Sequence, residues 1–67
     1  KPVSGVDGMI GETGEAIDAL DPAGRVRVHG EIWNAISHSG QINKGEAVKV
    51  LLVKDLTIYV EQIHSSI

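Results

Sequence analysis

The sequence predicts an all-β fold, a small closed or nearly closed barrel of five strands with no substantial helix. Three observations lead there. Arg25-Val26-Arg27-Val28 alternates charged and apolar side chains, the period of two that buries one strand face and wets the other. Turn-forming residues punctuate the chain at roughly eight- to twelve-residue intervals, as short strands with tight connections require. Apolar residues make up 42% of the chain, yet only Trp33 and Tyr59 are aromatic, so the core is built from Val, Ile, Leu and Ala, which suit pleated surfaces.

Lys1 to Gly8 mixes proline, serine, glycine and aspartate without apolar periodicity and reads as a flexible leader over residues 1–8. The domain proper is expected over 9–63, and His64 to Ile67 as a frayed tail. A first long strand is expected from Met9 to Leu20, with Gly11 and Gly14 marking bulges or close backbone approach where it bends. Asp21-Pro22-Ala23-Gly24 is a turn, because Pro22 presets φ and Asp21 bonds nearby N–H groups. Strands follow over about Arg25–Val28 and Glu31–Ser37, joined by His29-Gly30. Ser37 to Gly45 is polar and carries two glycines, so it is a loop rather than a helix, with Ile42 as its one apolar anchor. Ala47 to Val53 begins as alternation and ends as an apolar run, which places a twist or bulge near Leu51 in the fourth strand. Lys54-Asp55-Leu56 reverses the chain into a fifth strand, Thr57 to Glu61. Ile17, Val26, Val28, Trp33, Ala35, Val48, Val50, Ile58 and Val60 are the expected interior.

At 67 residues there is room for one domain, near the lower end of what folds without a staple. The absence of cysteine excludes disulfide scaffolds and thiolate zinc sites. A net charge of −3 opposes the phosphate neutralisation on which nonspecific nucleic-acid affinity rests. No apolar run approaches the roughly 20 residues that cross a bilayer. The start at Lys1-Pro2, without an initiator methionine, suggests a piece of a longer protein.

The residues identify no reaction. His29, His38 and His64 share no metal-ligand spacing and read as surface or turn histidines. Ser37-His38-Ser39 lacks a nucleophile elbow and an orienting third group. Glu12 with Glu15, or Asp18 with Asp21, would need a cleft that raises one carboxyl pKa, which a domain this small seldom offers. Arg25 and Arg27 share an outward strand face and could grip a carboxylate or phosphate, or pair across strands with Glu31. Trp33 could stack a base as barrel-type nucleic-acid binders do, but its aliphatic neighbours favour core packing. If Trp33 and Ala35 face inward, Ile32 and Ile36 face outward, and with Leu51 and Leu56 they form an exposed aliphatic group suited to docking. A bulge near Asn34 would instead return Ile36 to the core.

From about Ile10 to Ile63 the order of these features resembles the C-terminal soluble domain of NfeD-like proteins, membrane proteins encoded beside stomatin and flotillin relatives. Gly11-Glu12-Thr13-Gly14 leads through Leu20 to Pro22-Ala23-Gly24, the alternating strand, Gly30-Glu31 and Trp33-Asn34-Ala35. Ile42, Lys44-Gly45, Val48 and Val50 and a closing apolar hairpin complete the match, with Trp33 standing where the family pattern is aliphatic. The resemblance implies an OB-like barrel, tethered through upstream transmembrane segments on the cytoplasmic side. It implies docking to a stomatin- or flotillin-type membrane protein, and it carries over no catalytic, metal or cofactor residue. The candidate interaction surface, read from the residues themselves, is the set Ile32, Ile36, Leu51, Leu56, Arg25 and Arg27. Self-association stays open. Two other readings of the same barrel are an oligonucleotide or saccharide binder and a lipoyl- or biotinyl-like carrier. The carrier reading rests on the glycine-valine pattern from Gly40 to Val48, with Lys54 as its only candidate for modification.

Overall fold

In the computed structural model, which describes residues 7–63, the alternation in the sequence becomes the two faces of a closed sheet. The strands are β1 (Thr13–Ala16), β2 (Ala23–Val28), β3 (Glu31–Ser37), β4 (Ala47–Lys54) and β5 (Thr57–Gln62). They close in the order β1-β2-β3-β5-β4, with β4 returning to β1. All neighbours are antiparallel except β3 and β5, which run parallel from Asn34↔Thr57 to Ser37↔Val60. The ring is the five-stranded OB-like barrel that the sequence predicts. Residues 1–6 of the expected leader and the expected tail, 64–67, lie outside the described residues.

One face of every strand fills the interior. Ala16, Val26, Val28, Ala35, Val48, Val50, Ile58 and Val60 are each at most 1% exposed, and burial of one such aliphatic side chain stabilises by about 1.5–3 kcal/mol. At one end the loops after β1 and β3 meet through an isolated bridge, Leu20↔Ile42, and both side chains are fully buried. Ile42 thus serves as the plug that its solitary apolar character in a polar loop implied. At the other end the 3-10 turn Asp7–Met9 packs on β4 and buries Met9.

Three expectations are corrected. The first strand is Thr13–Ala16 rather than Met9 to Leu20: Met9 and Leu20 enter the core from a helical turn and a bridge, while Gly11, at φ 88°, turns the chain between them and β1. Ile17 is half-buried and Ala16 takes the interior position instead. The cause is the tight approach of β1 to β2, since a Cβ on Gly14 would collide with the Arg27 carbonyl oxygen and lie 2.6 Å from Val28 Cγ2. Only Gly and Ala fit the inward face of so narrow a strand. Trp33 points inward but is half-buried, packed against the edge of the aliphatic core, because side chains such as Val26 and Val28 already fill the space an indole would need.

The remaining boundaries shift little. β2 begins at Ala23, so the turn is confined to the residues around the cis Asp21–Pro22 peptide. Gly24 lies against Leu20 and the Ala19 carbonyl, 2.6 Å from where its Cβ would be. The bulge expected near Leu51 is present, as the β4–β5 register shifts between Val50 and Leu52. His29 and Asp55 hold the two hairpin turns with φ of 53° and 57°.

Candidate docking face

The outward faces of β2, β3, β5 and β4 carry two rows of side chains that run across the strands. Ala23↔Ile36, Ile36↔Tyr59 and Leu52↔Tyr59 are register partners, so four apolar residues line up on the outside of the barrel. Arg25↔Asn34, Asn34↔Thr57 and Lys54↔Thr57 form a polar row beside it. A third pair, Arg27↔Ile32, continues the β2–β3 ladder, and Ile32 is 56% exposed. The β2–β3 register is unbroken from Ala23↔Ile36 to Val28↔Glu31, so no bulge at Asn34 redirects Ile36 into the core.

The structure therefore brings Arg25, Arg27, Ile32 and Ile36 to one outer face. Leu56, at 77% exposure, sits in the turn that opens β5. Leu51 differs: it falls at the bulge without a register partner and is half-buried, while Leu52 takes the outward position. Sequence reasoning missed Ala23, Tyr59 and Leu52 as members of this face. Counting one extra residue through the bulge would have found Leu52, since it restores the alternation in which Val53 packs inward.

An open groove of about 420 Å³ lies on this face, and Asp18, Ala23, Arg25, Asn34, Ile36 and Thr57 are among the residues that line it. Arg25 Nε donates to Asp18 Oδ2 at 2.7 Å, and both side chains are about half exposed. Arg25 thus pairs with Asp18, not with the expected Glu31, because Glu31 stands opposite Val28 at the far end of the ladder.

The other sites weighed for chemistry are structural. Ser37 Oγ donates to the Gly40 carbonyl and accepts from Ser39 N–H at 3.2 Å, so its hydroxyl organises the β3–β4 loop. Ser39 Oγ accepts from Gln62 N–H at 2.9 Å. His29 Nε2 lies 2.8 Å from Glu12 Oε1 in an exposed pair. Among the described residues, no three of His, Asp and Glu gather closely enough to hold a metal ion.

Residues 6–62 match the family described as the NfeD-like C-terminal, partner-binding domain. The chain belongs to this family. The NfeD-like domain is 41% identical over 61 residues to a membrane-bound protease of Pyrococcus horikoshii, an alignment covering 90% of this chain and 14% of that protein. The chain thus spans about one seventh of that relative's length. Among solved structures, it superposes with a TM-score of 0.85 and 38% identity on the C-terminal domain of a stomatin operon partner protein from Pyrococcus horikoshii, covering 92% of this chain and 98% of that one. It also resembles the soluble domain of a Corynebacterium glutamicum membrane protein implicated in regulation of membrane protease activity. There the TM-score is 0.74 at 28% identity, over 79% of this chain and 89% of that one. The family description is of partner binding rather than catalysis, and the NfeD-like barrel carries its apolar row on the outside.

Proposed function

We propose that this domain is a noncatalytic docking module of a membrane-anchored NfeD-like protein, and that it binds a stomatin- or flotillin-type membrane protein through the outer face of β2, β3, β5 and β4. The observation that carries the reading is the row Ala23, Ile36, Tyr59 and Leu52, contiguous apolar side chains on the exterior of a barrel whose interior is already filled. Such rows on small domains mark contact surfaces. Ile32, Leu56, Arg25, Arg27 and the bulge residue Leu51 extend the proposed surface around it. The partner class is supported by the stomatin operon partner whose C-terminal domain shares the fold at 38% identity. A tether to membrane segments outside this chain is supported by the membrane-bound relatives, and we place the domain on the cytoplasmic side, where the proposed scaffold would meet it.

The test is a titration of the isotopically labelled domain with a stomatin-type protein from the same organism. Shifts centred on Ala23, Ile36, Tyr59 and Leu52 are expected. The reading is overturned by unchanged spectra at high partner concentration. Short single-stranded oligonucleotides at low salt, where electrostatic binding is strongest, should leave the spectrum unmoved.

A further inference from the structure

Resting on the membrane tether proposed above, we infer that the end of the barrel at which the chain enters lies on the bilayer surface, with Ile10, Ile32 and Leu56 seated among the lipid headgroups.

The two ends of the barrel differ in what they show to solvent. At one end Leu20 and Ile42 are fully buried, and the loops around them expose polar residues such as Asp21, His38, Gln41 and Asn43. The opposite end gathers three segments. Gly11 N–H donates to the carbonyl of Val50, from which β4 runs on to its turn with β5, and Glu12 Oε1 meets His29 Nε2 of the β2–β3 turn at 2.8 Å. There Ile10 is 52% exposed, Ile32 56% and Leu56 77%. The remaining exposed large aliphatic among the described residues, Leu52, belongs to the side row. Aliphatics held out from three segments at one end mark a contact surface.

Position selects the occupant. The family is described as a C-terminal domain, so in the membrane-bound Pyrococcus relative the rest of the protein precedes it. A tether of that kind joins this barrel at the turn Asp7–Met9, next to Ile10. It holds the Ile10, Ile32 and Leu56 end toward the membrane, and the high effective concentration of a tethered domain lets a weak contact form. Charge favours no particular lipid. Arg27 is the register partner of Ile32 and Lys54 precedes the turn that carries Leu56, but Glu31 and Asp55 adjoin the same two aliphatics. The two cations and two carboxylates cancel, so the contact is made by aliphatic burial rather than by attraction to anionic headgroups. The row Ala23, Ile36, Tyr59 and Leu52 is left for the protein partner, and the docking face meets the bilayer at Ile32 and Leu56.

The chain has no cysteine, so one added ahead of Lys1 couples the labelled domain to a maleimide lipid in phosphatidylcholine nanodiscs and supplies a tether. A spin label on the lipid headgroups is expected to broaden the signals of Ile10, Ile32 and Leu56 and to leave Leu20 and Ile42 sharp. Ile32→Ser with Leu56→Ser, both at exposed positions, should cut that broadening by about threefold or more while the folded spectrum is retained. Ile10→Ser, tested alone, reads the same loss from a third segment. Adding phosphatidylserine or salt should change neither result. Absent or uniform broadening, broadening centred on the side row or on Leu20 and Ile42, or dependence on phosphatidylserine overturns the inference. So does a stomatin-type protein that displaces lipid from Ile10, Ile32 and Leu56, which would assign this end to protein. The tether is read separately, by carbonate washing of membranes that carry the full-length protein. If the protein washes off, the proposed tether fails; if it is retained and the labelled domain shows no broadening, only the bilayer contact fails.

Discussion

Leu20 and Ile42 hold each other across two loops: Leu20 N–H donates to the Ile42 carbonyl at 2.8 Å, Ile42 N–H donates back at 2.9 Å, and both side chains are fully buried. Neither belongs to a strand of the barrel, yet together they seal one of its ends. Ile42→Ala removes the plug and leaves a void in a loop that cannot collapse far. The expected loss is about 2–5 kcal/mol in urea unfolding, a large fraction of the stability of so small a domain.

Gly14 admits no side chain. Its missing Cβ would meet the Arg27 carbonyl, a backbone atom fixed in the β1–β2 ladder, so relief requires the strands to part. Gly14→Ala should destabilise by about 1–3 kcal/mol. Gly30→Ala is a useful contrast: it meets no atom within 4 Å and suffers only the conformational penalty of its φ of 77°. Thermal melts of the two variants separate collision from backbone strain.

Trp33 carries an unusual liability for a core-edge residue. Its Nε1 is buried without a hydrogen-bond partner, and an unmet buried donor costs about 1–3 kcal/mol. Trp33→Leu gives up indole packing and sheds that penalty at the same time. Its unfolding free energy is expected to fall by less than about 1.5 kcal/mol, against the 3–5 kcal/mol usual for truncating a tryptophan. A loss in the larger range would show that the N–H is satisfied in solution.

The ion pair of Arg25 with Asp18 is a surface contact, with side chains 55% and 44% exposed. A double-mutant cycle with Arg25→Gln and Asp18→Asn should return a coupling of about 0.2–1 kcal/mol that fades as salt is raised. Docking, by contrast, should respond to Arg25 alone.

Leu56 protrudes from the β4–β5 turn with 77% of its surface exposed, so Leu56→Ser should change stability by no more than about 0.5 kcal/mol. If the turn borders the partner surface, capture of the stomatin relative weakens while the melt stays put. A surface plasmon resonance assay beside a thermal melt reads both.

The parts of the fold legible in the sequence were those where burial and alternation coincide. β3 runs over Glu31–Ser37 as its pattern implied, and the apolar run ending in Leu51, Leu52 and Val53 forced a bulge that the β4–β5 register contains. β1 was not legible, because its inward positions are Gly14 and Ala16 and a strand whose core face is made of small residues has almost no apolar period. The larger Ile17 attracted the inward assignment, and a one-residue slip inverts a whole strand. The candidate face was half legible. Ile32, Ile36, Arg25 and Arg27 followed from parity on β2 and β3, whereas Tyr59 joins them only through the parallel β3–β5 pairing, a contact between distant segments that no local pattern encodes.

That parallel pairing has a consequence for synthesis. β5 is the last strand to be made and it sits between β3 and β4, so a nascent chain halted before Thr57 holds both of those strands with a bare margin. Closure of the ring therefore waits for β5, Thr57–Gln62, to pair with both. During translation, the unfinished β3 and β4 margins are where a chaperone or a neighbouring nascent chain would find purchase.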